Sequence, residues 1–178
     1  MRQMDRLKEA LALSQECAFV TLSTNGEDGF PESRVVFNLK EHAARAAREA
    51  GEAREAGEYR LTGPFAGSEG DFRTWIGTNT SSRKTRQIRR DGRVCLYYAD
   101  TQGFRGLAVM GRLAECPDEA VRRGLWREGW EAYYPSGPAD PDYVVFAFTP
   151  ERARYYHGLK VSDWEFEGSR RGEAGGHA

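Results

Sequence analysis

The segment TNTSSRKTRQIRR, residues 78–90, places a group of hydroxyls directly before a run of cations. Thr80, Ser81 and Ser82 are favoured N-cap residues, so Arg83 and Lys84 fall in the first turn of a predicted helix. A helix start carries about half a positive charge, and two adjacent cations there repel it. The arrangement becomes favourable when a dianion sits among the free backbone N–H groups, the cap hydroxyls and the two basic side chains. A charge-assisted hydrogen bond contributes about 1.5–3 kcal/mol, which outweighs a repulsion of roughly a few tenths. The chemistry indicated is phosphate binding. Two plainer readings stand beside it. Arg86, Arg89 and Arg90 continue the charge, as in a solvated basic helix. A helix contacting RNA is the other, but no aromatic residues interleave with the basic ones. The phosphate reading requires that no acidic side chain of the chain itself fills that corner.

A second candidate is Arg34, which opens the otherwise apolar run Val35-Val36-Phe37. It is either an edge-strand arginine reaching water or a further phosphate ligand from a neighbouring strand. The aromatic set Trp126, Trp130, Tyr133, Tyr134, Tyr155 and Tyr156 is core material by its spacing, or a cover for a flat ring or a subunit interface. No GxSxG, P-loop or GxGxxG motif and no paired-carboxylate signature supplies an acid, base or nucleophile. If the protein is an enzyme, a bound cofactor performs the hard step. His42, His157 and His177 lie far apart, without metal-ligand spacing. Cys17, Cys95 and Cys116 are odd in number and form no CxxC, which argues against a disulfide framework and for a reducing cytoplasm.

The elements that must hold these residues follow from pattern. With 178 residues, the expectation is one domain over 1–178. The 26 basic and 27 acidic residues leave no overall charge to hold nucleic acid or an anionic membrane, so an anion site must be local. No apolar run approaches the ~20 residues of a membrane helix, and the charged N-terminus is no secretory signal. Met4, Leu7 and Leu11 predict a helix over 3–15. Strands are predicted over 18–23, 33–39, 72–77, 94–99, 103–115 and 143–149. Residues 40–58, with AREAGE twice in succession, read as a solvated helical or partly disordered insertion. Pro117 opens a predicted helix reaching about Tyr133, with Trp126, Trp130 and Tyr133 on one face. PERARYYHG reads as a short helix or turn, and the tail over about 168–178 as frayed. About six strands in neighbouring pairs favour a small, mainly antiparallel barrel with peripheral helices.

SRVVFNL, WIGTNTSSRKTRQIRRDGRVCLYYAD and GLAVMGRLAE together resemble the FMN-binding split barrels related to pyridoxamine 5′-phosphate oxidase. WEAYYPSGPADPDYVVFAFTPERARYYHG is similar to the general stress protein 26 branch. The resemblance implies a mainly β fold, a six-stranded antiparallel split β-barrel, and a homodimer with FMN at the subunit interface. By position it puts Arg34, Val35, Val36 and Phe37 along the phosphate and isoalloxazine, Gly77 and Thr78 beside the flavin, and Ser82, Arg83 and Lys84 on the phosphate. The implied function is a flavin-dependent oxidoreductase exchanging electrons with small molecules, or a flavin-binding stress or sensor module without turnover. FAD, a deazaflavin or haem are the other cofactors considered, with His157 the candidate haem ligand. Three departures argue against true pyridoxamine phosphate oxidation. Leu39 stands where the oxidase has a lysine, with Lys40 one residue late. Gly106 stands where it has a flavin-contacting glutamine, and its C-terminal Arg-x-His element is missing.

Overall fold

The structure is a computed structural model that describes residues 3–49, 53–54, 58–59, 61–68 and 70–166. The predicted frayed tail lies outside the described residues. The chain runs α1 (Gln3–Glu16), β1 (Phe19–Asn25), β2 (Pro31–Phe37), α2 (Leu39–Glu49), β3 (Ala53–Arg54), β4 (Glu58–Tyr59), β5 (Thr74–Asn79), α3 (Arg83–Arg90), β6 (Arg93–Asp100), β7 (Arg105–Glu115), α4 (Glu119–Gly124), β8 (Tyr143–His157) and β9 (Lys160–Glu165).

One antiparallel sheet of seven strands forms the body, in the order β2-β1-β6-β7-β8-β5, with β9 added to β8; β3 and β4 pair separately. Mainly antiparallel β structure with flanking helices is as predicted, but the strand count is not. PERARYYHG is no helix or turn: β8 continues through it to His157, and β9 folds back upon it. Pro150 is tolerated because it sits at a β-bulge opposite Met110/Gly111. A side chain at Gly111 would strike the Thr149 carbonyl oxygen, so only glycine fits there. The bulge shifts the inward alternation. Val144, Phe146 and Phe148 before it, and Ala153 and Tyr155 after it, all enter one core. The sheet is not closed by pairing: β2 and β5 end the strand order, and they approach one another across a gap.

Two cores flank the sheet. The first joins Val20, Leu22, Leu96, Leu107, Val109 and the β8 residues just named with Ala10 and Leu13 of α1 and Ile88 of α3. Met4, predicted to face this core, is exposed; Leu7 and Leu11 are only partly buried against it. The second core holds Leu61, Phe65, Trp130, Tyr134, Tyr143 and Val145, with Leu39 and Ala44 of α2. The stretch beginning at residue 40 is therefore not simply solvated. Asn38 ends β2 and starts α2, because its Oδ1 accepts from the backbone N–H groups of Lys40 and Glu41 while its Nδ2 donates to the carbonyls of Ser14 and Cys17. Lys40 is 1% exposed. Its ammonium donates to the carbonyls of Ser68, Asp71 and Arg73 at 2.6, 2.6 and 3.1 Å, with Asp71 Oδ1 at 3.8 Å. A buried ammonium needs such a donor set to offset its lost hydration.

The helix predicted to reach Tyr133 stops at Gly124. Gly129, in a left-handed conformation, begins a separate 3₁₀ turn over Trp130–Ala132. Trp126 and Trp130 still meet edge to face at 5.8 Å, but Tyr133 is exposed and Tyr134 takes the core position.

Candidate functional site

The cation corner is assembled from β2, β5 and α3. Ser82 caps α3: its Oγ accepts from the Thr85 backbone N–H at 3.4 Å and pairs with Thr85 Oγ1 at 3.0 Å. Thr85 Oγ1 also donates to the Asn79 carbonyl at 2.6 Å, which ties the helix start to the end of β5. Asp142, from the loop before β8, accepts from the Ser81 backbone N–H at 2.8 Å, from Ser81 Oγ at 3.1 Å and from Asn79 Nδ2 at 2.9 Å. Those bonds hold its carboxyl below the usual aspartate range, with the Asn79 contribution first.

Strand alternation decides which predicted residues can meet. Glu32, Arg34 and Val36 occupy the half-buried face of β2, whereas Val35 and Phe37 point the other way and are exposed. The side chains of Arg34, Val35, Val36 and Phe37 therefore do not line one surface together; only the β2 main chain runs past all four. Arg34 donates to Thr24 Oγ1 at 2.5 Å and to Gln87 Oε1 at 3.0 Å, so it is anchored from the core side. Gln87 Oε1 also accepts from Thr24 Oγ1 at 2.7 Å.

Arg83, Lys84 and Arg34 are brought together, but the corner holds an acid that sequence reading overlooked. Glu32 Oε1 accepts from Arg83 at 2.6 Å and from Gln87 Nε2 at 2.7 Å, and its Oε2 lies 3.6 Å from Arg34. The condition that no acidic group of the chain fills the corner fails for Arg83 and for Arg34. It holds for Lys84, a half-buried residue with no ion-pair or hydrogen-bond partner among the described residues. Burial, and then the nearby charge of Arg34, pulls the Lys84 ammonium below the ordinary lysine value. Burial likewise lowers the Arg34 guanidinium, with Glu32 opposing and Arg83 assisting. The overlooked acid had a signal: Glu32 stands two residues before Arg34 on a strand, hence on the same face.

Gly77 and Thr78 lie on β5, opposite Val145 and Val144. Thr78 is buried toward the first core. A Cβ on Gly77 would lie 3.3 Å from Tyr143 and 3.5 Å from Trp130, so the space beside this glycine is occupied by aromatic rings. Both residues border the gap to β2 through their main chain, since β5 pairs with β8 on one side only. Near the end of β2, Phe37 lies 6.2 Å from Trp130 and carries the Arg127 guanidinium over its ring at 5.0 Å. His157 is remote from this corner, with Nδ1 3.1 Å from Glu9 of α1. Cys17, Cys95 and Cys116 are unpaired, and no cluster of potential metal ligands exists among the described residues. No helix among them is long and apolar enough to cross a membrane.

The arrangement offers a cluster of cations beside a sheet gap bordered by main chain and aromatic rings. Its charge and shape suit an anionic, partly flat ligand. Residues 63–163 match the family model described as pyridoxamine 5′-phosphate oxidase like. Among solved structures, the chain is 28% identical to a protein related to general stress protein 26, of the pyridoxinephosphate oxidase family, from Clostridium acetobutylicum; the match covers 93% of this chain and 96% of that one, with a TM-score of 0.66. General stress protein 26 from Bacillus anthracis shares the fold at 17% identity, covering 90% and 99% of the two chains, with a TM-score of 0.63. A heme binding protein from Mycobacterium smegmatis does so at 14% identity, covering 90% of this chain and 57% of that one, with a TM-score of 0.60. No curated protein matches the chain.

Proposed function

The chain belongs to the pyridoxamine 5′-phosphate oxidase-like family, and from that premise we propose that it binds FMN and works as a flavin-dependent oxidoreductase. One observation carries the reading. Lys84 is a half-buried cation beside Arg34 and Arg83 and lacks an internal partner among the described residues, so a phosphate there gains bonds that the chain does not itself satisfy. Arg34, Lys84 and Arg83 would hold the phosphate, with Ser82 fixing the start of α3. The main chain of β2 and β5 would border the ring in the gap of a split barrel. FMN, when bound, supplies the electron-transfer chemistry that no side chain of this site offers.

A homodimer goes with this reading. Phe19, Val35 and Phe37 are 55%, 64% and 45% exposed on one outer face of β1 and β2, next to Tyr97 of β6, and a second copy would cover them. The unpaired cysteines fit a reducing, cytoplasmic setting. Pyridoxamine phosphate is not the proposed substrate. Lys40, the one lysine near the position of the oxidase's substrate lysine, is spent inside the protein on carbonyl groups. The void beside Gly106 is taken by the Tyr97 ring. The second reading is a flavin-binding stress or sensor module without turnover.

Titration of the purified protein with FMN, followed by absorption and fluorescence, tests binding. Saturable quenching is the expected result, and its absence removes the proposal. A Soret band from added haemin instead would move the cofactor to haem, as in the mycobacterial neighbour. Reduction of the bound flavin by NADH or NADPH, and its re-oxidation by an added acceptor, separates the enzyme from the sensor.

A further inference from the structure

The proposed phosphate corner already holds an anion of the chain's own. Glu32 bridges Arg83 and Gln87 at 2.6 and 2.7 Å and approaches Arg34 at 3.6 Å. We propose that Glu32 is the specificity residue of this corner: it occupies Arg83 until the ligand's phosphate displaces it, and so selects a dianionic phosphomonoester over a phosphodiester or an uncharged flavin. The inference rests on the flavin reading above and deepens it.

The argument is one of exchange. Three cations, Arg34, Arg83 and Lys84, less one carboxylate leave two positive charges. A terminal phosphate carries about −1.5 to −2 at neutral pH, as the phosphate of a phosphoserine does. A singly charged group that competes for Arg83 replaces one anion by another and gains little. A dianion displaces Glu32 and also reaches Lys84, whose ammonium has no partner among the described residues. The displaced carboxylate keeps a donor, because Gln87 Nε2 is directed at it while the other end of the same amide is fixed by Thr24 and Arg34. Glu32 therefore moves off Arg83 without becoming an unbonded charge.

The test measures dissociation constants of FMN, FAD and riboflavin for the full chain and for Glu32→Gln, Arg83→Gln and the double variant, with melting temperatures as the check on folding. The proposal expects the wild-type protein to bind FMN more tightly than FAD or riboflavin. Glu32→Gln should tighten FMN on the order of tenfold and leave riboflavin within about twofold. The gain should vanish in the Arg83→Gln background, because the exchange takes place at Arg83. FMN affinity that is unchanged or weaker in Glu32→Gln, or FAD bound as tightly as FMN by the wild type, overturns the specificity role and leaves flavin binding standing. Folded proteins that bind none of the three flavins overturn the flavin reading itself.

Discussion

Two lysines show how a folded chain treats a cation it has taken out of water. Lys40, buried between α2 and the segment leading into β5, is surrounded by three carbonyls and a nearby aspartate. Lys84, half-buried at the start of α3, faces Arg34 and has no anion within reach among the described residues. The first is satisfied internally and serves architecture. The second is held at a disadvantage by burial and by Arg34, and under the proposed function a ligand of opposite charge would relieve it. Burial alone does not mark a candidate binding cation; burial without an internal partner is the feature the proposed function uses.

The largest effect expected from breaking this contrast is at Lys40. Lys40→Met strands three carbonyls, and urea denaturation should show a loss of about 3 kcal/mol at an unchanged slope. FMN affinity should stay within about twofold of the wild type, measured on protein held well below its melting temperature. Next comes the reverse case. Arg83→Ala with Lys84→Ala should weaken FMN roughly 50-fold, a little over 2 kcal/mol. Its melting temperature should fall by no more than about 2 °C, since Arg83 is exposed and the Lys84 ammonium has no internal partner to lose among the described residues. An equal loss of stability in both variants would erase the distinction between the two lysines. Gly77→Ala comes third. Its added methyl presses on Tyr143 and Trp130, at a cost of about 1 kcal/mol by thermal melting.

The smallest expected effect concerns the anchor of the Ser81 turn. Asp142 has a folded pKa below its unfolded one, with the Asn79 hydrogen bond the leading cause. Its contribution is therefore present above the ordinary aspartate range and lost as pH falls through the depressed value. The melting-temperature gap between the wild type and Asp142→Asn should be constant near neutrality and close at acid pH. A gap that widens on acidification would contradict the assignment.

Local pattern carried much of the fold. The β1–β2 pair, the Ser82 cap, α3, β6 and β7 are each readable because turn chemistry and periodicity act over a few residues. What failed was decided by tertiary contacts or by single backbone conformations. Trp126, Trp130 and Tyr133 have helical spacing, yet the helix ends at Gly124 before all three, and Gly129 at φ 89 turns the chain between Trp126 and Trp130. Arg152 and Arg154, alternating with apolar residues after a proline, are strand residues only because β7 and β9 pair with them on either side. At the candidate site, phosphate chemistry alone suggests the approach of Arg34 to α3. The Glu32 contact was within reach of simple alternation, but its meeting with Gln87, 55 residues away, is set by how α3 lies against β1 and β2.

The bulge at Met110/Gly111 has a genetic corollary. Loss of the Glu151 codon would remove the extra residue and restore unbroken alternation along β8 with Ala153 and Tyr155 still inward, whereas loss of the Arg154 codon would turn the Tyr155 ring outward. A large ring driven out of the core in the second case leaves no way for the distal half of the strand to settle. A one-codon deletion should thus be tolerated at Glu151 and purged at Arg154, whereas the exposed tip at Leu159, a few positions on, should accept extra residues freely.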